Sequence, residues 1–149
     1  RALAERPDKL CKLSVREAVN GERLEPGTIY FAPGDYHLTV RRDGTGICAV
    51  TDQAPPVNSC RPSVDVTFSS LAHTFGRKTL ALVLTGMGKD GLAGCTALRK
   101  VGATILVQDK ESSVIWGMPG HVARSHLANK IVPLDRIAYE IVRAMALKA

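Results

Sequence analysis

The chain has 149 residues, a formal net charge of +6 and a pI near 9.4, with 45% apolar and 23% charged residues. That is one domain's worth of core, too apolar for a disordered chain, and no apolar run approaches the ~20 residues that span a bilayer. The basic residues are scattered, and no zinc-finger spacing, aromatic RNA-binding stretch or basic helix points to nucleic acid; the charge reads first as an ordinary basic surface, and a mild positive field that draws in an acidic partner is the alternative.

The chain opens at Arg1 without an initiator Met, and "RALAERPDKLCKL" reads as the tail of a helix with no strand to dock against. At least one βα unit is therefore expected upstream. From residue 14 to 61, short β-type runs alternate with turn chemistry, read as antiparallel strands with long connections. "HLTVRR", "DGTG" and "ICAVTD" form the clearest hairpin signal. The period then changes. Val64, Phe68, Leu71, Ala72 and Phe75 fall on one face of a helix, with Pro62 expected in its first turn and Gly76 at its end.

Beyond Gly76 the pattern is regular α/β. "TLALVLT" is a strand, "LAGCTALRKVG" a helix, "ATILVQD" a strand, "GMPGHVARSHL" a short helix from Pro119, and "KIVPL" a strand. The final helix, "DRIAYEIVRAMAL", should bury Ile137, Ala138, Ile141, Val142 and Met145. Uniformly apolar strands imply a parallel sheet covered on both faces, hence a doubly wound α/β domain with an added antiparallel hairpin. Sites in such sheets lie outside the carboxyl ends of the strands, which selects the loops at Thr85, Asp109 and Leu134. The four cysteines, Cys11, Cys48, Cys60 and Cys95, form no C-x-x-C pair. Reduced, structural thiols in a cytoplasmic protein are expected, with no metal.

The loop after Leu84 supports two readings. Gly86, Gly88 and Gly91 spell G-x-G-x-x-G between a strand and a helix, with Asp109 as the acidic residue further on, which is a dinucleotide fingerprint. Against it, Asp90 sits inside the loop, where its charge would repel a pyrophosphate, and Lys89 is not in a P-loop pattern. The second reading centres on Asp90. A carboxylate fixed at a strand end suits the third member of a nucleophile–His–Asp triad, unless it only caps the helix opening at Gly91 or Leu92. Ser63, Ser112 and Ser113 lack a nucleophile elbow, and His37, His73, His121 and His126 read as structural or surface residues.

"LTGMGKDGLAG", together with "PPVNSCRPSVDVTFSSLA", "GTIYFAPGDYHLTV", "VQDKESSVIWGMPGHV" and "KIVPLDRIA", resembles the catalytic domain of the chemotaxis protein-glutamate methylesterases, the CheB family. The resemblance runs from Leu3 to Ile137 in collinear order. It implies a serine hydrolase that demethylates glutamate methyl esters, and in many members deamidates glutamines, on methyl-accepting chemotaxis receptors, without a cofactor. It places the triad aspartate at Asp90 and implies that Met87, with Gly86 and Gly88, lines the active site beside the nucleophile, Met118 bordering the same cleft. The family's Gly-Ala-Ser-x-Gly-Gly and Gln-His-Met segments are absent from residues 1–149. The chain is thus expected to be the C-terminal part of one catalytic domain, inactive alone, with Ser, His and often a receiver domain upstream. A non-catalytic receptor-binding protein is the remaining alternative.

Overall fold

The computed structural model describes residues 12–44 and 46–146. The helix tail expected at the start lies outside them up to residue 11, as do Cys11, Thr45 of the hairpin turn and Leu147. In chain order the strands are β1 (Ser14–Glu17), β2 (Thr28–Phe31), β3 (His37–Asp43), β4 (Gly46–Asp52), β5 (Leu80–Val83), β6 (Thr104–Gln108) and β7 (Lys130–Val132). The helices are α1 (Val64–Phe75), α2 (Leu92–Lys100), α3 (Met118–Arg124) and α4 (Ile137–Ala146).

The regular half follows its hydrophobic pattern. Strands β5, β6 and β7 form a parallel sheet in that order, with Leu80 opposite Thr104 and Leu106 opposite Lys130. Ala81, Val83, Ile105 and Val107 turn one face toward Cys95 and Leu98 of α2 and Val122 of α3. Strand alternation sends Leu106 to the other face, and α4 returns there to contact β5. This is the expected α/β class, with helices on both faces of a parallel sheet and an antiparallel pair, β3–β4, in the register that the "DGTG" turn sets. Cys48 and Cys95 are buried and Cys60 half-buried, all free thiols.

Three expectations give way. Strands β1 and β2 pair in parallel, not antiparallel, with Ser14 opposite Thr28. A parallel pair needs a crossover, and the connection supplies one by docking on β4: Gly21 N–H donates to Ala49 O, Leu24 N–H to Ile47 O and Ala49 N–H to Glu22 O. Pro62 lies ahead of the first turn of α1, because Ser63 is the N-cap residue; the Arg61–Pro62 bond is cis. Helix α4 is rotated by about one position. It buries Ile137 and Glu140 while Val142 and Met145 are exposed, and the Glu140 carboxylate on the buried face meets Lys130 Nζ of β7 at 2.5 Å.

Helix α1 ties the two halves together. Its apolar stripe packs on the core through Phe68, Leu71 and Ala72. Its hydroxyls bond the backbone of β3: Thr67 Oγ1 donates to Leu38 O, Thr74 Oγ1 donates to Val40 O, and Ser70 Oγ accepts from Val40 N–H. A strand edge is thereby covered by helix side chains. Helix α1 also runs so close to α2 that a Cβ on Gly94 would lie 2.6 Å from Phe68 Cβ and 3.1 Å from Asp65 Cα.

Gly94→Ala is therefore expected to destabilise the fold by about 1–3 kcal/mol, the cost of overpacking, although alanine gains about 1 kcal/mol in helix propensity. Gly34→Ala, with open space around it, serves as the control in urea denaturation. An unshifted midpoint for Gly94→Ala would contradict the close packing of α1 on α2.

Candidate active site

The loop from Leu84 to Gly91 leaves the carboxyl end of β5, and Gly88 and Gly91 adopt φ of 89° and 92°, which L-residues avoid. Its first half is laced to the loop after β6. Thr85 N–H donates to Gln108 Oε1 at 2.8 Å, Gly86 N–H to Ile115 O at 3.0 Å and Met118 N–H to Gly86 O at 2.8 Å. Thr85 Oγ1 accepts from Ile115 N–H and lies 3.0 Å from Ile115 O. Buried Gln108 also donates from Nε2 to Ser112 O, and Trp116 Nε1–H donates to Gln108 O.

Asp90 terminates this loop, 5% exposed. Three groups donate to its Oδ1: Ser63 Oγ at 2.7 Å, Asn58 Nδ2 at 3.1 Å and Asp65 N–H at 3.3 Å. Val64 N–H donates to Oδ2 at 2.7 Å. Burial by itself raises the pKa of this carboxyl, but the bonds from Ser63, Val64, Asn58 and Asp65 outweigh it and hold the pKa below 3.8. Asp90 is thus ionised at neutral pH and held from several directions.

The capping role differs from the one expected. Asp90 does not cap its own helix, whose N-cap is Gly91 with no side-chain cap bond. It caps α1, through the N–H groups of Val64 and Asp65. In return, Asp65 Oδ1 accepts from Gly94 N–H of α2 at 2.7 Å, and Asn58 Nδ2 also donates to Asp65 Oδ2 at 2.8 Å. Each helix start is capped by an acid from the other segment, and one amide spans both acids.

This arrangement removes the physical basis of the dinucleotide reading. The helix N-terminus that would attract a pyrophosphate already holds Asp65. The space made by Gly86 is filled by Met118, whose Sδ would lie 2.7 Å from a Cβ there, and Gly117 packs against the backbone of Gly86 and Gly88. Asp109, expected to read a ribose, instead accepts hydrogen bonds from Ser112 N–H and Oγ.

Of the other sequence candidates, Met87, in the same loop as Asp90, is 81% exposed, while Met118 is half-buried against Gly86. Ser63 is buried and committed to Asp90. Ser112 and Ser113 hydroxyls bond Asp109. His37 is 1% exposed. Its Nδ1 accepts from Ser63 N–H and its Nε2 pairs with Pro55 O, so the proton sits on Nε2 and both nitrogens are occupied. His73 and His126 are exposed and His121 half-buried, none bonded to Asp90. Asn58, Asp65 and His37 are the network members that residue-by-residue reasoning did not select. Among the described residues no group of His, Cys, Asp and Glu is arranged to hold a metal ion.

The protein-family model described as CheB methylesterase matches residues 1–141. A protein-glutamate methylesterase/protein-glutamine glutaminase of Trichodesmium erythraeum is 50% identical over 141 residues, covering 95% of this chain and 40% of that protein. One from Maricaulis maris is 52% identical over 141 residues, covering 95% and 35%. The crystal structure of the Thermotoga maritima CheB methylesterase catalytic domain superposes with a TM-score of 0.93 at 36% identity, covering 96% of this chain and 76% of that one. The chain thus spans about 40% of the length of the Trichodesmium relative.

Because Asp90 is ionised through bonds that exist only in the folded state, its contribution to stability is fully present above the unfolded pKa, near 3.8, and is lost as pH falls through the lower folded value. Asp90→Asn should cost about 1–3 kcal/mol at neutral pH. The gap between wild type and variant should narrow in acid below about pH 4. Denaturant midpoints measured across that range check this; a gap that widens in acid would contradict it.

Proposed function

The chain belongs to the CheB methylesterase family, a hydrolase family, and on that premise we propose that Asp90 is the aspartate of a Ser–His–Asp triad whose other two members precede Arg1 in the complete protein. The observation that carries the reading is how the Asp90 oxygens are shared out. Oδ1 accepts three hydrogen bonds, whereas Oδ2 accepts one among the described residues. A carboxylate oxygen offers about two lone-pair directions, so Oδ2, with one bond, retains a direction for an imidazole N–H.

In the proposed reaction the serine oxygen attacks the ester carbonyl of a receptor methylglutamate while the histidine takes its proton. The tetrahedral adduct collapses, the histidine returns that proton to the departing methoxide, and methanol leaves. Water, deprotonated by the same histidine, then cleaves the acyl-enzyme to free glutamate. A glutamine substrate follows the same steps and releases ammonia. Asp90 holds the imidazole in the tautomer with Nδ1 protonated and stabilises the imidazolium formed at each attack. Met87 and the glycines Gly86 and Gly88 border the substrate, with Met118 supporting them from below. The protein acts in the cytoplasm on methyl-accepting chemotaxis receptors, and the net charge of +6 favours encounter with an acidic helical surface. A receiver domain in the full-length protein would control it.

Two measurements test this. The 149-residue chain alone should show no hydrolysis of methylated receptor. In a full-length form carrying the upstream serine and histidine, Asp90→Asn should lower kcat by about 10⁴-fold, as when a triad aspartate is neutralised. Unchanged turnover would reduce Asp90 to a helix cap.

A further inference from the structure

Asn58 occupies a backbone position that suits glycine as well as asparagine. Val57 and Cys60 bond each other's backbone at both ends of a tight turn, N–H to O at 3.1 and 2.9 Å. The two residues between them, Asn58 and Ser59, have φ of 52° and 61°. Among non-glycine residues asparagine adopts this region most readily, and serine less so. Glycine would relieve the turn at Asn58. What glycine lacks is the amide.

That amide is aimed. Arg61 grips the loop: Nη1 donates to Gln53 O and Ala54 O, while Nε and Nη2 donate to Asp35 Oδ1. The turn is anchored on that side, and Asn58 Nδ2 reaches Asp65 Oδ2 at 2.8 Å and Asp90 Oδ1 at 3.1 Å. Its two N–H bonds suit two acceptors. Without it, Asp65 Oδ2 and Asp90 Oδ1 would lose the donor they share.

We propose that Asn58 is a positioning residue for the hydrolytic reaction: its amide occupies Asp90 Oδ1, separates Asp90 from Asp65, and so presents Oδ2 to the histidine. The proposal rests on the assignment of Asp90 to the triad. Ser63 and the N–H groups of α1 hold the same carboxylate but also start a helix. Asn58 lies outside every helix and strand, so its amide can be removed with the elements left intact.

The test uses the full-length enzyme with serine and histidine present. Asn58→Gly should lower the melting midpoint only modestly, leaving the enzyme folded and its KM close to wild type, while kcat falls on the order of 10-fold to 100-fold, the penalty for slight misplacement of a catalytic constellation. Asn58→Asp preserves shape and tolerates the same backbone, yet sets an acceptor against two acceptors; its kcat should fall at least as far. In an Asp90→Asn background, Asn58→Gly should add no further loss, because the two act as one unit. Unchanged kcat in Asn58→Gly, with Asp90→Asn crippled, overturns this inference and leaves the triad assignment standing. A kcat loss accompanied by a collapsed midpoint or a raised KM makes Asn58 merely structural and also overturns it. Full turnover in Asp90→Asn overturns both.

Discussion

Two helices that begin side by side leave two sets of unpaired N–H groups and two positive dipole ends in one place. The fold depends on how that conflict is resolved. Asp90, at the end of the loop before α2, takes the first N–H groups of α1; Asp65, in the first turn of α1, takes Gly94 N–H of α2. Each acid sits near an opposite partial charge, and Gly94 lets the helices approach closely enough for the exchange. Neither helix can shift without uncapping the other, so the loop that carries Asp90 inherits the rigidity of both.

The opposite side of that loop is fixed by different means. Gln108 at the end of β6 holds Thr85, and residues 115–118 fill the space along the glycines. The glycine pattern thus serves close packing of protein on protein. In the proposed role the aspartate would hold a neighbouring ring in one tautomer and orientation, which requires that it not rotate itself. Buried donors on one oxygen and rigid elements beneath both supply that preorganisation.

Most of the architecture was legible in the sequence because hydrophobic periodicity reports which face of an element is buried. The β5–α2–β6 run, the β3–β4 hairpin and the stripe of α1 were read from it directly. What it does not report is polar pairing across the chain. Helix α4 is turned by about one position, with Glu140 paired to Lys130 on its buried face, and β1 and β2 run parallel with their connection bonded to β4. The site shows the same division. Asp90 stood out as a charge among glycines, and the family resemblance included "PPVNSCRPSVD", yet nothing local revealed that Asn58, Ser63 and Asp65 converge on Asp90 from 25 to 32 residues away. Asp65 and Ser63 look like ordinary helix-start residues; only the packing of α1 against α2 makes them partners of the loop.

The most direct measurement is a carboxyl carbon NMR titration of Asp90 in the folded protein. An ionised, pre-aimed carboxylate should show no inflection across neutral and mildly acidic pH and should titrate only below 3.8, the ordinary aspartate value. A midpoint at or above that value would mean that burial outweighs the donors from Ser63, Asn58, Val64 and Asp65, and would contradict a loop built to hold a charged aspartate in place.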